Sequence, residues 1–167
     1  MIISPVGFEI AKIFLDEGAK VVLSDIDASG GEAALRLLSE AACRIENQSA
    51  EFSSTLGDGA AIFVQCDVSV GEEVANLIRV AEHTYGSVHI LFNGAEIMHI
   101  EDGDALSTSD DVWDLSMAIN AKGVFYGCKF GIPAIRKAGG GSIINMASYA
   151  AKMGSASGRV SCTGIFL

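Results

Sequence analysis

Two hydrophobic periods alternate along this chain. Short apolar stretches rich in β-branched residues, bounded by glycine or aspartate, have the composition of buried strands. Longer stretches carry apolar residues three and four positions apart, which is the spacing of one helix face. The pattern predicts strands at 20–24, 61–65, 88–92 and 141–147, and helices over 5–17, 31–45, 70–86 and 111–137.

This alternation is typical of βαβ units. Four strands joined by helical crossovers imply a parallel sheet covered by helices on both faces. The polar stretch 46–59 lacks an apolar period and is predicted to be a surface loop, with a functional lid as the alternative. Ligands of such sheets bind beyond the carboxyl ends of the strands, so the residues at those ends are the candidates for a site.

Capping residues predict three of the helix starts. Ser4 followed by Pro5 suits an N-cap and a first helical position. The other two starts are predicted from pairs three residues apart, Ser69 with Glu72 and Thr108 with Asp111.

Composition narrows the class of protein. A chain of 167 residues is expected to form one domain over 1–167. Its net charge of −10 would repel a nucleic acid backbone. No apolar stretch approaches the roughly 20 residues of a membrane span, and residues 1–14 lack the features of a secretory signal. We therefore expect an intracellular, cytoplasmic protein that binds neither nucleic acid nor membrane.

The cysteines and histidines indicate no metal site. The four cysteines are widely spaced without a CxxC pair, and the three histidines lie apart from them in the sequence. Cys43, Cys66 and Cys128 are expected to be reduced, buried thiols.

Asp25 is the first candidate at a strand end. It follows the strand 20–24 and lies eighteen residues after Gly7, close to the spacing at which an acidic side chain accepts hydrogen bonds from a dinucleotide ribose. Its carboxylate would repel a 2′-phosphate, which favours NAD over NADP. The alternative is an ordinary turn aspartate beside Asp27.

Two further strand ends carry candidates. Asp67, after the strand 61–65, could bond an adenine amino group or merely cap the next helix. The small-residue turn after the strand 88–92 would let backbone approach a cofactor, and its members are Asn93, Gly94 and Ala95.

In order along the chain, these residues, the stretch MAINAKGVFYGCK and the strand GSIINMAS resemble the motifs of the short-chain dehydrogenase/reductase family. The resemblance runs from about Gly7 to Thr163. It implies a Rossmann-like doubly wound parallel sheet in three α/β/α layers, incomplete because most of the first strand and the C-terminal elements are missing. It also implies an NAD(P) cofactor and hydride transfer to or from an alcohol or carbonyl.

The resemblance assigns roles residue by residue. Asn120 matches the asparagine that holds a proton-relay water, and Ser148 matches the serine that orients the substrate carbonyl. Gly7 matches the last glycine of the phosphate loop, and Asp67 with Val68 matches the pair that contacts adenine. Further cofactor contacts would come from the positions that match NNAG, which are Asn93, Gly94, Ala95 and Glu96.

Two departures from the family pattern concern cofactor binding. The earlier glycines of the phosphate loop fall on Pro5 and Met1, and proline has no amide hydrogen to offer a phosphate. Glu96 replaces the final glycine of NNAG. An inward carboxylate there would lower cofactor affinity, whereas a side chain turned to solvent would have no effect.

The third departure concerns proton transfer. Cys162 occupies the position of the family's tyrosine, and Phe166 that of its lysine. A cysteine is shorter than tyrosine, and Phe166 carries no charge that could stabilise a thiolate. Tyr149 and Lys152 are three residues apart rather than four and are poor substitutes for the pair.

The sequence therefore predicts an NAD-type short-chain oxidoreductase that is catalytically impaired as this chain. Its predicted partners are a nicotinamide cofactor, a small alcohol or carbonyl substrate, and a second copy of the chain through helix 111–137. The alternatives are a non-catalytic NAD-binding or oligomer-partner module, a non-functional truncated gene product, and another Rossmann-like enzyme such as a methyltransferase.

Overall fold

The computed structural model describes residues 4–46 and 59–148, with the side chains of 41–46 excepted. Helices and strands alternate through these ranges, which confirms the predicted α/β class. The elements are α1 (Pro5–Asp16), β1 (Val21–Asp25), α2 (Ala28–Glu46), β2 (Ala61–Gln65), α3 (Gly71–Tyr85), β3 (Ile90–Asn93), α4 (Asp110–Asn120), α5 (Lys122–Lys137) and β4 (Ser142–Asn145).

The chain divides into two compact units, Met1–Asp67 and Val68–Leu167. In the first unit, β1 and β2 run parallel in a register that pairs Val21 with Ala61 and Asp25 with Gln65. Both strands pack against α2, and their buried core consists of Ala11, Leu15, Leu23, Ala34 and Leu38. The parallel pairing places the carboxyl ends of the two strands side by side.

Helix α1 begins as its sequence predicts. The Ser4 hydroxyl accepts a hydrogen bond from the Gly7 amide at 3.1 Å, and Pro5 is the first helical residue. The helix is twelve residues long, and Gly18 follows it with φ of 82°, a conformation that favours glycine.

In the second unit, β3 and β4 run parallel and pair Ile90 with Ser142 and Asn93 with Asn145. Their buried core consists of Ile78 of α3, Val88 just before β3, and Ala134 and Ile135 of α5. Leu91 of β3 packs against this core. Helix α5 turns three buried glycines, Gly123, Gly127 and Gly131, toward Val68, Asn93 and Leu91. Glycine is needed there because an added Cβ would lie 2.7 Å from the Leu91 side chain and 2.9 Å from that of Val68.

The described residues do not form the single four-stranded sheet that the sequence predicts. Among the described residues, the strands form two parallel pairs, β1 with β2 and β3 with β4. The residues before Ser4 lie outside the described ranges.

The predicted single helix over 111–137 is wrong, because Ala121 interrupts it and separates α4 from α5. The N-cap of α4 is Ser109 rather than Thr108, and the Thr108 hydroxyl instead accepts the Gly103 amide at 2.9 Å.

The predicted capping box of Ser69 with Glu72 is wrong as well. Helix α3 begins at Gly71 with Val70 as its N-cap, and the Val70 side chain makes no capping hydrogen bond. Ser69 lies one residue before this N-cap.

None of the helices in ranges 4–46 and 59–148 is both long and apolar enough to cross a membrane. Within the same ranges, no group of three or more His, Cys, Asp or Glu side chains could hold a metal ion.

Candidate functional site

Asp25 ends β1, and its carboxylate is half-buried. One oxygen, Oδ1, accepts the backbone N–H of Asp27 at 2.9 Å. Within the described part of the chain, the other oxygen has no hydrogen-bond partner. The carboxylate is therefore oriented by the protein and still has an oxygen with which to accept a hydrogen bond from a ligand.

The turn after β1 is stabilised by a side chain of the turn itself and by a side chain of β2. Asp27 Oδ1 accepts the backbone N–H of Ser29 at 3.1 Å and its hydroxyl at 2.8 Å. Gln65, the last residue of β2, donates from Nε2 to the Ile26 carbonyl at 3.0 Å. These bonds fix the turn that follows Asp25 onto the start of α2.

The carboxyl end of β2 carries the second acidic candidate. The Cys66 amide donates to the Asp25 carbonyl at 3.0 Å, and its side chain is only 2% exposed. Asp67 follows half-buried as the last residue of the first unit. Val68 begins the second unit, where its side chain faces Gly123. The adenine-contacting roles of Asp67 and Val68 remain predictions.

The start of α1 offers few amides to an anion. Pro5 has no N–H, the Gly7 N–H is bonded to the Ser4 hydroxyl, and the Phe8 N–H is bonded to the Ser4 carbonyl. Within the described residues, Val6 is then the first-turn residue whose amide is still available. An anion at this helix end would have to displace the serine cap to gain a second donor.

The carboxyl ends of β3 and β4 are joined by an amide pair. Asn93 donates from Nδ2 to Asn145 Oδ1 at 2.8 Å, and its carbonyl accepts the Met146 amide at 2.9 Å. Gly127 of α5 leaves room for the Asn93 side chain, since an added Cβ would collide with Asn93 Oδ1. The Asn93 amide is thus held in place by its neighbours on the strands and the helix.

The turn after Asn93 contains Gly94, Ala95 and Glu96 and is partly exposed to solvent. At Gly94, an added Cβ would collide with the Phe92 ring, so glycine allows this turn to form against β3. Ala95 and Glu96 are both exposed. The exposure of Glu96 agrees with the alternative in which its carboxylate is turned to solvent.

Asn120 is a buried polar residue, 6% exposed, at the end of α4. Its Oδ1 accepts the Ile97 N–H at 2.8 Å, and its Nδ2 donates to the Ile97 carbonyl at 2.9 Å. Both functions of the amide are therefore used to tie the segment after β3 to α4. The role of Asn120 in holding a relay water remains a prediction. The structural role of this side chain is to bond the backbone of Ile97.

The loop between β3 and α4 is also stabilised by hydrogen bonds between its own residues. Asp104 Oδ1 accepts the Ser107 hydroxyl at 2.7 Å and the amides of Ser107 and Leu106 at 2.9 and 3.1 Å. The Ser107 hydroxyl, followed by these amides, lowers the pKa of Asp104 below its usual value.

Three residues of the candidate site were missed from the sequence, namely Gln65, Ile97 and Asn145. Gln65 and Asn145 end strands whose partners end in Asp25 and Asn93, so the parallel register could have indicated them. No sequence signal indicated Ile97, because it takes part through its backbone.

Known proteins resemble this chain over most of its length. A family model described as "Enoyl-(Acyl carrier protein) reductase" matches residues 2–163. A short-chain type dehydrogenase/reductase from Picea abies is 35% identical over 144 residues, which cover 86% of this chain and 49% of that protein. The chain belongs to the short-chain dehydrogenase/reductase family. This membership confirms the resemblance derived from its motifs.

A second relative, a 3-beta-hydroxysteroid dehydrogenase from Comamonas testosteroni, is 32% identical over 145 residues, or 87% of this chain and 48% of that protein. A crystal structure described as a short-chain dehydrogenase/reductase from Burkholderia xenovorans superposes with a TM-score of 0.81 at 25% identity, covering 99% of this chain and 60% of that one. The superposition confirms the predicted Rossmann-like α/β fold. The chain spans about half the length of the curated relatives it matches.

Of the predicted catalytic residues, Asn120 and Ser148 lie within the described ranges and Cys162 does not. Ser148 lies three residues after β4 and is half-buried, and its role toward a substrate remains a prediction. Cys162 and Phe166, like the rejected pair Tyr149 and Lys152, lie outside the described ranges.

A nicotinamide dinucleotide, the cofactor typical of this family, fits the candidate site at one end only. The available carboxylate oxygen of Asp25 suits the ribose hydroxyls of the adenosine half. The diphosphate is less well served by the described residues, because the Ser4 cap and Pro5 leave Val6 as the available amide of the first helical turn.

Proposed function

We propose that this chain is the cofactor-binding part of a short-chain oxidoreductase that prefers NAD and acts on an alcohol/carbonyl pair. The observation that carries the proposal is the half-buried Asp25 carboxylate, oriented through Oδ1 and with its second oxygen available. That oxygen would accept a ribose hydroxyl, whereas a 2′-phosphate would be repelled at close range.

The bound cofactor would supply the hydride chemistry, and the chain's own residues would bind the cofactor and orient the substrate. Asp25 holds the adenosine ribose, and Asn93, Gly94 and Ala95 present backbone to the cofactor. Ser148 orients the substrate carbonyl. Asn120 keeps the segment through Ile97 in place by its two hydrogen bonds, and its family role with a relay water is part of the proposal.

We further propose that proton transfer is impaired in this chain. Cys162 stands where the family has its tyrosine, and Phe166 stands where it has its lysine. A positioned general acid or base contributes about 10²- to 10⁴-fold to the rate, so a loss of that size is expected. The dehydrogenases among its relatives support the alcohol/carbonyl assignment.

The remaining predictions belong to the same proposal. The residues 1–167 act as one cytoplasmic domain, and copies of the chain associate through α4 and α5. Four large apolar side chains on these helices are between 36% and 57% exposed, which favours a covered surface, and they are Trp113, Leu115, Phe125 and Ile132.

Thermal unfolding with and without cofactor tests the binding proposal. A ligand that binds only the native state raises its melting temperature by mass action. We expect millimolar NADH to raise Tm by several degrees and NADPH to raise it less. A cooperative transition that neither cofactor shifts would refute the proposal.

Turnover of a repaired variant tests the proposed impairment. Cys162→Tyr combined with Phe166→Lys is expected to raise the rate at least about 10²-fold over the unmodified chain with an alcohol panel and NAD. The single change Phe166→Lys is the control, since it supplies the charge without the phenol. Equal rates for the double variant and the unmodified chain would contradict an impairment that lies in this pair.

A second candidate function is a non-catalytic module that binds NAD or pairs with a longer relative. The changed pair Cys162 and Phe166 favours it. NADH binding without turnover in the repaired variant, together with a stable complex with a full-length family member, would support this module over the enzyme.

A further inference from the structure

The carboxyl ends of β1 and β2 are linked by a side chain that no family motif includes. Gln65 donates from Nε2 to the carbonyl of Ile26 at 3.0 Å, across a separation of 39 residues in the sequence. The two residues lie at neighbouring strand ends because Asp25 and Gln65 are register partners. This bond therefore joins the turn after β1 to the end of β2.

The Ile26 carbonyl and the Asp27 N–H belong to one peptide group. That group is planar, and in the trans form its C=O and N–H point in opposite directions. Gln65 holds the carbonyl oxygen, while the Asp25 carboxylate accepts the N–H at 2.9 Å. The peptide is thus held from both sides, and its orientation and that of the Asp25 carboxylate depend on each other.

Packing does not explain the glutamine. Gln65 is exposed, as is Ile26, and the buried side chain at this end of β2 is Cys66, which is 2% exposed. A residue without a donor would be accommodated at position 65 as easily as glutamine. What glutamine adds is an N–H group directed at the Ile26 carbonyl.

We infer that Gln65 is a positioning residue: through the peptide between Ile26 and Asp27 it orients Asp25 so that the free carboxylate oxygen faces the ribose hydroxyls of the cofactor. The inference rests on the proposed function, since it concerns how that ribose site is held. It assigns to β2 a part in selecting NAD.

Replacing the donor tests the inference. Gln65→Met keeps nearly the same length and removes both N–H donors, and Gln65→Ala is measured in parallel so that the result does not depend on how the methionine packs. The matched control is Ser39→Ala, which removes another exposed bond to a backbone carbonyl, from Ser39 to Leu35 at 3.0 Å in α2. All variants are compared with the unmodified chain for Tm and for the Kd of NADH and NADPH.

The expected result is a weaker and less selective NADH site in a protein of unchanged stability. Both Gln65 variants should raise the Kd of NADH about fivefold, which corresponds to about 1 kcal/mol for one hydrogen bond, and should change the Kd of NADPH less. Ser39→Ala should leave both constants unchanged. Equal NADH affinity in the Gln65 variants and the unmodified chain would overturn the inference.

A double-mutant cycle separates action through Asp25 from a general weakening. In an Asp25→Ala background, Gln65→Met should have no further effect on the Kd of NADH, because the carboxylate that it orients is gone. The same fivefold loss in both backgrounds would overturn the positioning role.

A cofactor-free measurement completes the test. In the free protein, Gln65→Met should speed amide hydrogen exchange at Asp27, whose N–H is held by Asp25, and leave exchange in α1 unchanged. Unaltered exchange at Asp27 would overturn the inference without involving the cofactor. Failure of the unmodified chain to bind NADH would instead refute the proposed function and, with it, the ribose role of Gln65.

Discussion

The two units end their parallel strand pairs in different ways. In the first, Asp25 uses one carboxylate oxygen on its own turn and keeps the other available. In the second, the amide pair of Asn93 and Asn145 and the twofold bond of Asn120 to Ile97 are made within the protein. The first strand end keeps an oxygen that could accept a ligand's hydrogen bond, whereas the bonds named in the second unit join its own residues.

The difference follows from the chemistry of the side chains. A carboxylate has two oxygens and no donor, so a single turn bond leaves capacity for hydroxyl groups. A carboxamide has both donors and an acceptor, so the Asn120 side chain can bond both the N–H and the C=O of Ile97. We therefore expect removal of the Asp25 carboxylate to alter ligand binding and removal of the Asn120 amide to alter stability.

The largest expected effect is on stability and falls in the second unit. An added Cβ at Gly141 would collide with the backbone carbonyl of His89, which is bonded to Ser142 and cannot move freely. We expect Gly141→Ala to lower the free energy of unfolding by roughly 3 kcal/mol in urea denaturation.

The matched change in the first unit is Gly31→Ala, where the added Cβ would meet the ring of Phe63. A side chain can shift where a backbone cannot, so a loss of roughly 1 to 2 kcal/mol is expected. A larger loss for Gly31→Ala than for Gly141→Ala would contradict this ranking.

The next effect concerns the buried amide of the second unit. Asn120→Ala would leave the Ile97 N–H and carbonyl without their partners, at a cost of about 2 kcal/mol. Asn76→Ala, at an exposed position of α3, is the control and should change stability by less than about 0.5 kcal/mol. Equal small losses in chemical denaturation would show that Asn120 does not anchor the segment.

The third substitution is expected to lower stability and to strengthen cofactor binding. Ser4→Ala removes the N-cap of α1 and should cost about 1 kcal/mol of stability. It also frees the Gly7 amide for an anion, so the Kd of NADH should fall when measured by titration. A Kd that rises together with the loss of stability would indicate that the cap, rather than the free amide, supports the cofactor.

Sequence reasoning predicted the elements better than the bonds between them. The α/β alternation, strand β2 and the capped start of α1 follow from periodicity and from Ser4 with Pro5. The break at Ala121 was not predicted, because the apolar period continues through it.

The site was predictable to a similar extent. Asp25 and Asn93 could be named as candidates from their places at strand ends, because ligands of parallel sheets bind beyond the carboxyl ends of the strands. The parallel register could have indicated Gln65 and Asn145 as neighbours of these residues, but their hydrogen bonds depend on turn and side-chain geometry that local patterns do not contain.

The smallest effect is electrostatic and lies in the loop before α4. The Ser107 hydroxyl lowers the pKa of Asp104, so the ionised form is favoured in the folded state. The stability linked to this group is present above the pKa of the unfolded state and is lost as the pH falls through the lower, folded value. Ser107→Ala should raise the pKa of Asp104 toward its usual value in an NMR titration, and an unchanged pKa would exclude the hydroxyl as its main cause.

The proposed preference for NAD depends on the Asp25 carboxylate. The most direct test is the Kd of NADH and of NADPH for the unmodified chain and for Asp25→Ala, with Asp16→Ala in α1 as the control. We predict a preference for NADH in the unmodified chain and in the control, and a Kd of NADH about 10- to 100-fold higher in Asp25→Ala, with the preference lost. An Asp25→Ala variant that binds NADH as tightly and as selectively as the unmodified chain would contradict the account.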